Sequence, residues 1–101
     1  MIGLCRGEEV RGKFMVRCAM GRGTLYLLTG RISVEASGRG TVLELPYGEM
    51  SWAVQKGGRA LRISWAEQGK SFDLVLRTDD AHGAARKLGS LAAGGAGRKT
   101  P

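Results

Sequence analysis

Residues that could perform acid–base or nucleophilic chemistry are few in this sequence. His82 is the only histidine, and Asp79 and Asp80 are adjacent carboxylates. An activated nucleophile needs a base and an orienting group close to it, and no Ser or Cys here has a sequence context that marks one. Asp79 and Asp80 precede an alanine-rich helical pattern, where carboxylates commonly cap the first turn. The sequence therefore predicts a protein that is not an enzyme, with His82 as a solvated surface residue.

Metal and nucleotide sites are not indicated either. Cys5 and Cys18 do not form a CxxC pair, and with one histidine the chain cannot assemble a four-ligand zinc site from Cys and His. We expect two free thiols, no metal and no cofactor. Glycine loops that cradle nucleotide phosphates open a helix after a strand, whereas the Gly-Arg-Gly clusters here precede strand-like sequence.

Basic side chains are the remaining chemical signal. Lys and Arg number 16 against 9 Asp and Glu, which gives a net charge of +7. A positive field of this size favours nucleic acid, a membrane surface or an acidic protein as partner. Arginine–glycine clusters also occur in disordered RNA-binding tracts, but such tracts lack apolar residues. Because strongly apolar runs separate the clusters here, we interpret the clusters as hairpin turns.

Seven apolar runs predict seven β-strands. Between Val10 and Met20 the apolar residues alternate with polar ones, a period typical of a half-buried strand. No long crossover separates the runs, so we expect an antiparallel meander. Pro46 should end the fourth strand because it lacks an N–H for the ladder. The predicted turns lie at residues 21–23, 29–31, 37–40, 57–58 and 67–70.

A helix is predicted over residues 78–93, where Ala and Leu recur at helical spacing and Thr78 or Asp79 would be the N-cap. Gly83 and Gly89 each weaken it by about 1 kcal/mol relative to Ala, so packing must hold it. Residues 1–93 would form one domain, and residues 94–101 a flexible tail or linker. With no apolar run of signal-peptide or membrane-spanning length, we expect a cytoplasmic location, with peripheral membrane attachment left open.

Two segments resemble a known family. GTLYLLTGRISVE at residues 23–35 is similar to the GRAM signature, and LELPYGEMSWAV at residues 43–54 resembles the family's next landmark. The likeness extends loosely over residues 4–92, the related GLUE domain shares the G-T-L-x-L pattern, and Ser33 and Val34 stand where GRAM domains often have an aromatic. The resemblance implies the pleckstrin-homology (PH) superfold, a mainly β, seven-stranded antiparallel barrel of two orthogonal sheets capped by one C-terminal α-helix.

The resemblance also implies an anion- or lipid-binding site at the open mouth of the barrel. The loops that gather there would carry Arg22, Arg39 and Lys70, with Lys13 and Arg17 on the first strand behind them. The first loop is too short for the family's phosphoinositide signature. Strand parity alone would instead bring the Gly57-Gly58-Arg59 turn to the same end as Arg22, and both groupings stay open at this stage.

We expect a non-catalytic adaptor that binds a protein partner, a peptide or ubiquitin, through a strand edge or the groove beside the helix, an anionic membrane surface, or both. Each basic residue near such a membrane contributes about 1 kcal/mol. The alternative is a basic, nucleic-acid-binding small β-barrel, but 6% aromatic content supplies few rings for base stacking. Trp52 is either a contact residue or a core residue, and Trp65 and Phe72 are expected in the core.

Overall fold

The computed structural model describes residues 7–94. These residues form seven antiparallel strands in one sheet, followed by one helix, which confirms the mainly β prediction with a C-terminal helix. Short 3-10 turns lie at Tyr47–Glu49 and Lys56–Gly58. The elements are β1 (Val10–Cys18), β2 (Gly21–Leu28), β3 (Arg31–Ala36), β4 (Gly40–Pro46), β5 (Met50–Val54), β6 (Ala60–Glu67), β7 (Lys70–Arg77) and α1 (Ala81–Gly94).

The strands form one open sheet, so the predicted closure into a barrel is wrong, whereas the division into two orthogonal sheets stays a prediction. The strand order of the sheet is β4-β3-β2-β1-β7-β6-β5, with β4 and β5 at the two edges. Closure would need a ladder between β4 and β5. The three residues that connect them form a 3-10 turn with Tyr47 buried in the core. β5 leaves this turn without pairing with β4.

The first Gly-Arg-Gly cluster lies in a strand rather than in a turn. β1 ends at Cys18, the chain reverses at Ala19 and Met20, and β2 begins at Gly21. The turn predicted at residues 21–23 is therefore displaced by two residues. Gly21 has a φ of +106°, which favours glycine, but Gly23 is required for space. A Cβ at Gly23 would lie 2.2 Å from the carbonyl oxygen of Glu35 on β3.

The core lies between the inner face of the sheet and α1. Opposed residues on neighbouring strands place their side chains on the same face, and several of these pairs are fully buried. α1 contacts β5, β6 and β1, and the residues it buries include two alanines, which allow the helix axis to approach the sheet closely. The fully buried core residues include Leu25, Leu27, Ile32, Val34, Leu61, Ile63, Leu76, Ala81, Ala84 and Leu88.

The helix starts later than its sequence pattern predicts. Asp80 is its N-cap, because its Oδ1 accepts a hydrogen bond from the Gly83 amide at 3.0 Å. Thr78 is buried instead, and its amide donates to the Arg59 carbonyl. The predicted caps, Thr78 and Asp79, are therefore wrong. The tail predicted for residues 94–101 lies, apart from Gly94, outside the described residues, as does Cys5.

The aromatic side chains divide between core and surface. Trp52 is half-buried and packs against the core, which supports its interpretation as a core residue. Trp65 and Phe72 stack with ring centroids 5.8 Å apart. Phe72 is nevertheless 40% exposed, so its predicted core position is wrong. In the described part of the chain, no helix has both the length and the hydropathy needed to cross a membrane.

Arg31 and Tyr47 make hydrogen bonds that stabilise the turn between β2 and β3 and the end of β4. Arg31 donates from Nε and Nη2 to the Glu8 carboxylate, both at 2.9 Å, and also contacts Glu44. These hydrogen bonds, chiefly that to Glu8, raise the pKa of the guanidinium although burial opposes them. Tyr47 Oη donates to the Leu28 carbonyl at 2.6 Å. Burial, aided by the charge of Glu8, raises the pKa of Tyr47 to about 12.

The raised pKa of Tyr47 predicts a loss of stability at high pH. The folded state holds the phenol proton to about pH 12, whereas an unfolded tyrosine loses it near pH 10. The contribution is therefore complete below pH 10 and falls by roughly 2–3 kcal/mol as the pH rises to 12. Urea titrations at pH 9, 10, 11 and 12 should show this extra fall in the wild type and not in Tyr47→Phe. Parallel curves for the two proteins would contradict it.

Candidate functional site

Three arginines form a row across neighbouring strands on the outer face of the sheet. Arg17 on β1 lies opposite Arg22 on β2 and opposite Arg77 on β7. Opposed residues of antiparallel strands point to the same face with Cβ atoms about 5 Å apart. The three side chains therefore stand side by side over about 10 Å. We call Arg22, Arg17 and Arg77 the arginine row.

A fourth arginine joins the row at a surface pocket of about 590 Å³. Arg59 reaches this pocket because it precedes Ala60, which lies opposite Arg77. The expectation from strand parity, that Arg59 and Arg22 share one end of the sheet, is thereby confirmed. The pocket is lined by Met15, Val16, Arg17, Arg22, Arg59, Ala60, Arg77, Thr78 and Asp79.

The four arginines have no acidic partner among the described residues. Three arginines elsewhere in that part of the chain do have one: Arg11 pairs with Glu9, Arg31 with Glu8 and Glu44, and Arg62 with Asp73. Arg39 and Arg86 form no ion pair with a described residue either, but they lie apart from the row. Asp79 lines the pocket but makes no ion pair within 4.0 Å with another residue of the range 7–94. Like charges placed opposite each other on a sheet destabilise it. A bound anion would remove this repulsion.

Asp73, the acidic residue of β7, already has hydrogen-bond partners outside the row. It accepts hydrogen bonds from Ser64 Oγ at 2.6 Å and from Arg62 Nη2 at 3.1 Å. These two donors, Ser64 foremost, hold the pKa of Asp73 below its usual value. Asp73 is therefore ionised at neutral pH but directed at β6, and it leaves the row positively charged.

Exposed apolar side chains flank the row on both sides. Met15 precedes Arg17 by two residues and is 70% exposed, and Val75 precedes Arg77 by two residues and is 42% exposed. Residues two apart on a strand share a face. Because β1 and β7 are antiparallel, Met15 and Val75 lie on opposite sides of the row. The surface thus offers both charge and apolar contact.

The predicted site residues are only partly brought together. Arg17 and Arg22 are direct neighbours, whereas Lys13 lies four residues before Arg17, about 13 Å along β1, with Nζ 5.9 Å from the ring centre of Tyr26. Arg39 lies in the β3–β4 turn, and its neighbours Gly38 and Gly40 line a pocket that Arg22 shares. Lys70 begins β7, about 23 Å from Arg77, and lines a separate pocket.

Sequence reasoning missed Arg77 and the role of Arg59. Arg77 ends its strand pattern and lies 60 positions after Arg17, so only the order of strands in the sheet makes the two neighbours. Arg59 was detectable from strand parity. His82 is exposed, and its ring lies beside Gly58, where an added Cβ would approach it to 2.9 Å. No group of His, Cys, Asp and Glu within residues 7–94 could hold a metal ion.

Comparisons with known proteins do not assign the chain to a family. No family model matches it, and neither does any curated protein. The likeness to GRAM domains therefore stays a prediction, and the arginine row has to be interpreted from its own charges and contacts.

Proposed function

We propose that the protein is a non-catalytic interaction module with a PH/GRAM-like fold, and that the arginine row binds an anionic partner. The observation that carries the proposal is the grouping of Arg17, Arg22, Arg59 and Arg77 around one pocket without an acidic partner among the described residues. Guanidinium groups bind carboxylates and phosphates through paired, charge-assisted hydrogen bonds.

The strand pairing supports the PH/GRAM-like part of the proposal. One residue pair, Arg17 with Arg77, joins β1–β4 to β5–β7. The sheet thus divides into a four-stranded and a three-stranded half, and α1 packs across both because it contacts β1 as well as β5 and β6. Such a division is compatible with the two-sheet architecture that the resemblance implies.

A protein partner or an anionic membrane surface accounts for the site better than nucleic acid does. Single-stranded nucleic acids stack their bases on exposed aromatic rings. Tyr47 and Trp52 pack into the core here, and the side chains that flank the row are Met15 and Val75. Phe72 on β7 is exposed, but no aromatic residue lines the pocket of the arginine row, so the row itself lacks the stacking platform of an RNA-binding sheet.

Charge reversal in the row tests the proposal against general electrostatics. Arg17→Glu should weaken binding to anionic probes by about tenfold or more, because it removes one charge-assisted contact and adds a repulsive one. Arg86→Glu changes the net charge equally but lies on the exposed side of α1, and should change affinity by less than about twofold. Fluorescence anisotropy with a glutamate-rich peptide, and sedimentation with vesicles containing phosphatidylserine, would measure this.

Two outcomes would count against the proposal. Equal weakening by Arg17→Glu and Arg86→Glu would mean that only net charge matters. Tighter binding to a single-stranded oligonucleotide than to peptide or vesicles, with a steep log-linear dependence on salt, would favour the nucleic-acid alternative. Far-ultraviolet circular dichroism of each variant provides the control for folding.

A further inference from the structure

β7 is paired along its whole length on one side only. Its eight residues lie opposite Ala60–Glu67 of β6, position by position. On the other side it meets β1 at the single pair of Arg77 with Arg17. Within the described part of the chain, the stretch from Lys70 to Leu76 therefore has no strand beside it. We call this side of β7 the open edge.

The open edge offers backbone hydrogen bonds to a partner. In an antiparallel strand, alternate residues direct their N–H and C=O groups away from the paired neighbour. β1 cannot use these groups because it ends at Cys18 and turns into β2. The space between them is a pocket of about 440 Å³, bounded by Cys18 and Ala19 on one side and by Leu74 and Val75 on the other.

The open edge carries little of the usual protection against strand addition. Exposed edges are commonly protected by proline, bulges or charged side chains, lysine above all. β7 has no proline, its register with β6 is unbroken, its one lysine, Lys70, stands at the first position, and Asp73 is directed at Arg62 and Ser64. Two apolar side chains on β7, Phe72 and Val75, are 40% and 42% exposed.

We propose that an extended acidic segment of a partner protein adds as a strand to the open edge, with its carboxylates bound by Arg17 and Arg77. This rests on the proposed function, because it takes the arginine row as the anion contact, and it adds the class and conformation of the ligand. The two arginines stand where the pairing of β1 with β7 stops. A strand that continues this pairing along β7 therefore starts beside two unpaired cations.

A polypeptide fits this place better than a phosphate-bearing ligand. Lipid headgroups, inorganic phosphate and nucleic acid could contact the arginines, but they have no backbone amides in register with a β-strand. The open edge spans about seven residues, or roughly 23 Å. Strand addition uses such an edge for affinity and the flanking side chains for specificity.

The chain's own segments and a second copy fit the edge less well. Residues 1–6 and 95–101 contain Arg6, Arg98 and Lys99 and no acidic residue. They would add positive charge beside Arg17 and Arg77. A second copy that paired the same edge antiparallel about its midpoint would place the Asp73 residues of the two copies in direct opposition, which is unfavourable.

N-methylated peptides test strand addition separately from charge. The parent probe is a labelled peptide of about seven residues that alternates Glu with Val or Thr. Two further probes keep its charge and carry N-methyl groups at either the odd or the even positions. Because only alternate amides face the neighbouring strand, one N-methyl series should bind about tenfold or more weakly and the other should bind like the parent. Arg17→Glu should weaken all three.

Each outcome decides between the two proposals. If both N-methyl series bind like the parent but Arg17→Glu still weakens binding, strand addition is overturned and the arginine row stands. If Arg17→Glu changes binding of no probe, the proposed function itself fails. Tighter binding to phosphatidylserine vesicles than to the peptide would overturn the proposal of a peptide ligand and indicate a membrane surface instead. Val75→Glu, which places a negative charge beside the edge at an exposed position, should also weaken the parent peptide.

Discussion

Gly23→Ala is expected to lower the free energy of unfolding by about 3 kcal/mol or more. The added Cβ would lie 2.2 Å from the Glu35 carbonyl oxygen and 3.3 Å from the Ala36 Cα. Both are backbone atoms of β3, which lies inside the sheet between β2 and β4. No side-chain rotation can relieve the contact, so the two strands must separate. Urea denaturation followed by circular dichroism would measure the loss.

Gly89→Ala is the matched control with the opposite sign. Gly89 lies inside α1, and a Cβ there would meet nothing within 4 Å. Removing the helix penalty of glycine should stabilise the protein by up to about 1 kcal/mol. A Gly23→Ala variant within about 0.5 kcal/mol of the wild type would show that β2 and β3 are not packed as closely as described.

Ala84→Phe is expected to displace α1 from the sheet. Ala84 is fully buried in the face of α1 that joins the core, with Ala81 and Leu88 one turn to either side. A phenyl ring has no space there, and overpacking of this size should lower the free energy of unfolding by about 3 kcal/mol. Near-ultraviolet circular dichroism should also lose intensity, because Trp52 on β5 packs into the same core.

Ala93→Phe is the control that distinguishes the effect of overpacking the core from the effect of lower helix propensity. Ala93 is exposed near the end of α1, so the same substitution meets no packed surface. Its effect should stay within the few tenths of a kcal/mol by which Phe and Ala differ in helix propensity. Equal losses for Ala84→Phe and Ala93→Phe would contradict the docking of α1 on the sheet.

Local patterns predicted the strands well because each strand depends on its own alternation of side chains. The turns at Thr29 and Gly30, at residues 37–39 and at Gln68 and Gly69 lie where glycine predicted them, and β4 ends at Pro46. The predicted turn between β1 and β2 was misplaced because Gly23 was interpreted as a turn residue. A glycine is needed there because the neighbouring strand β3 leaves no space for a side chain. Pattern alone cannot distinguish that cause from a positive φ.

The candidate site was only half predictable for a related reason. Arg17 and Arg22 flank one hairpin, so their proximity follows from local sequence. Arg77 reaches them only through the order of strands, and Lys70 was grouped with them by resemblance although it lies at the far end of β7. The openness of the sheet likewise depends on how β4 connects to β5, which no periodicity encodes.

Because a single residue pair connects β1 with β7, we expect β1–β4 and β5–β7 to fold as two separate units. Hairpins between sequence neighbours build each unit, and such local closures take microseconds. Joining the units closes a loop of 60 residues between Arg17 and Arg77, a slower and entropically costlier event. α1 follows both units in the sequence and contacts β1, β5 and β6, so we expect its docking to hold the two units together.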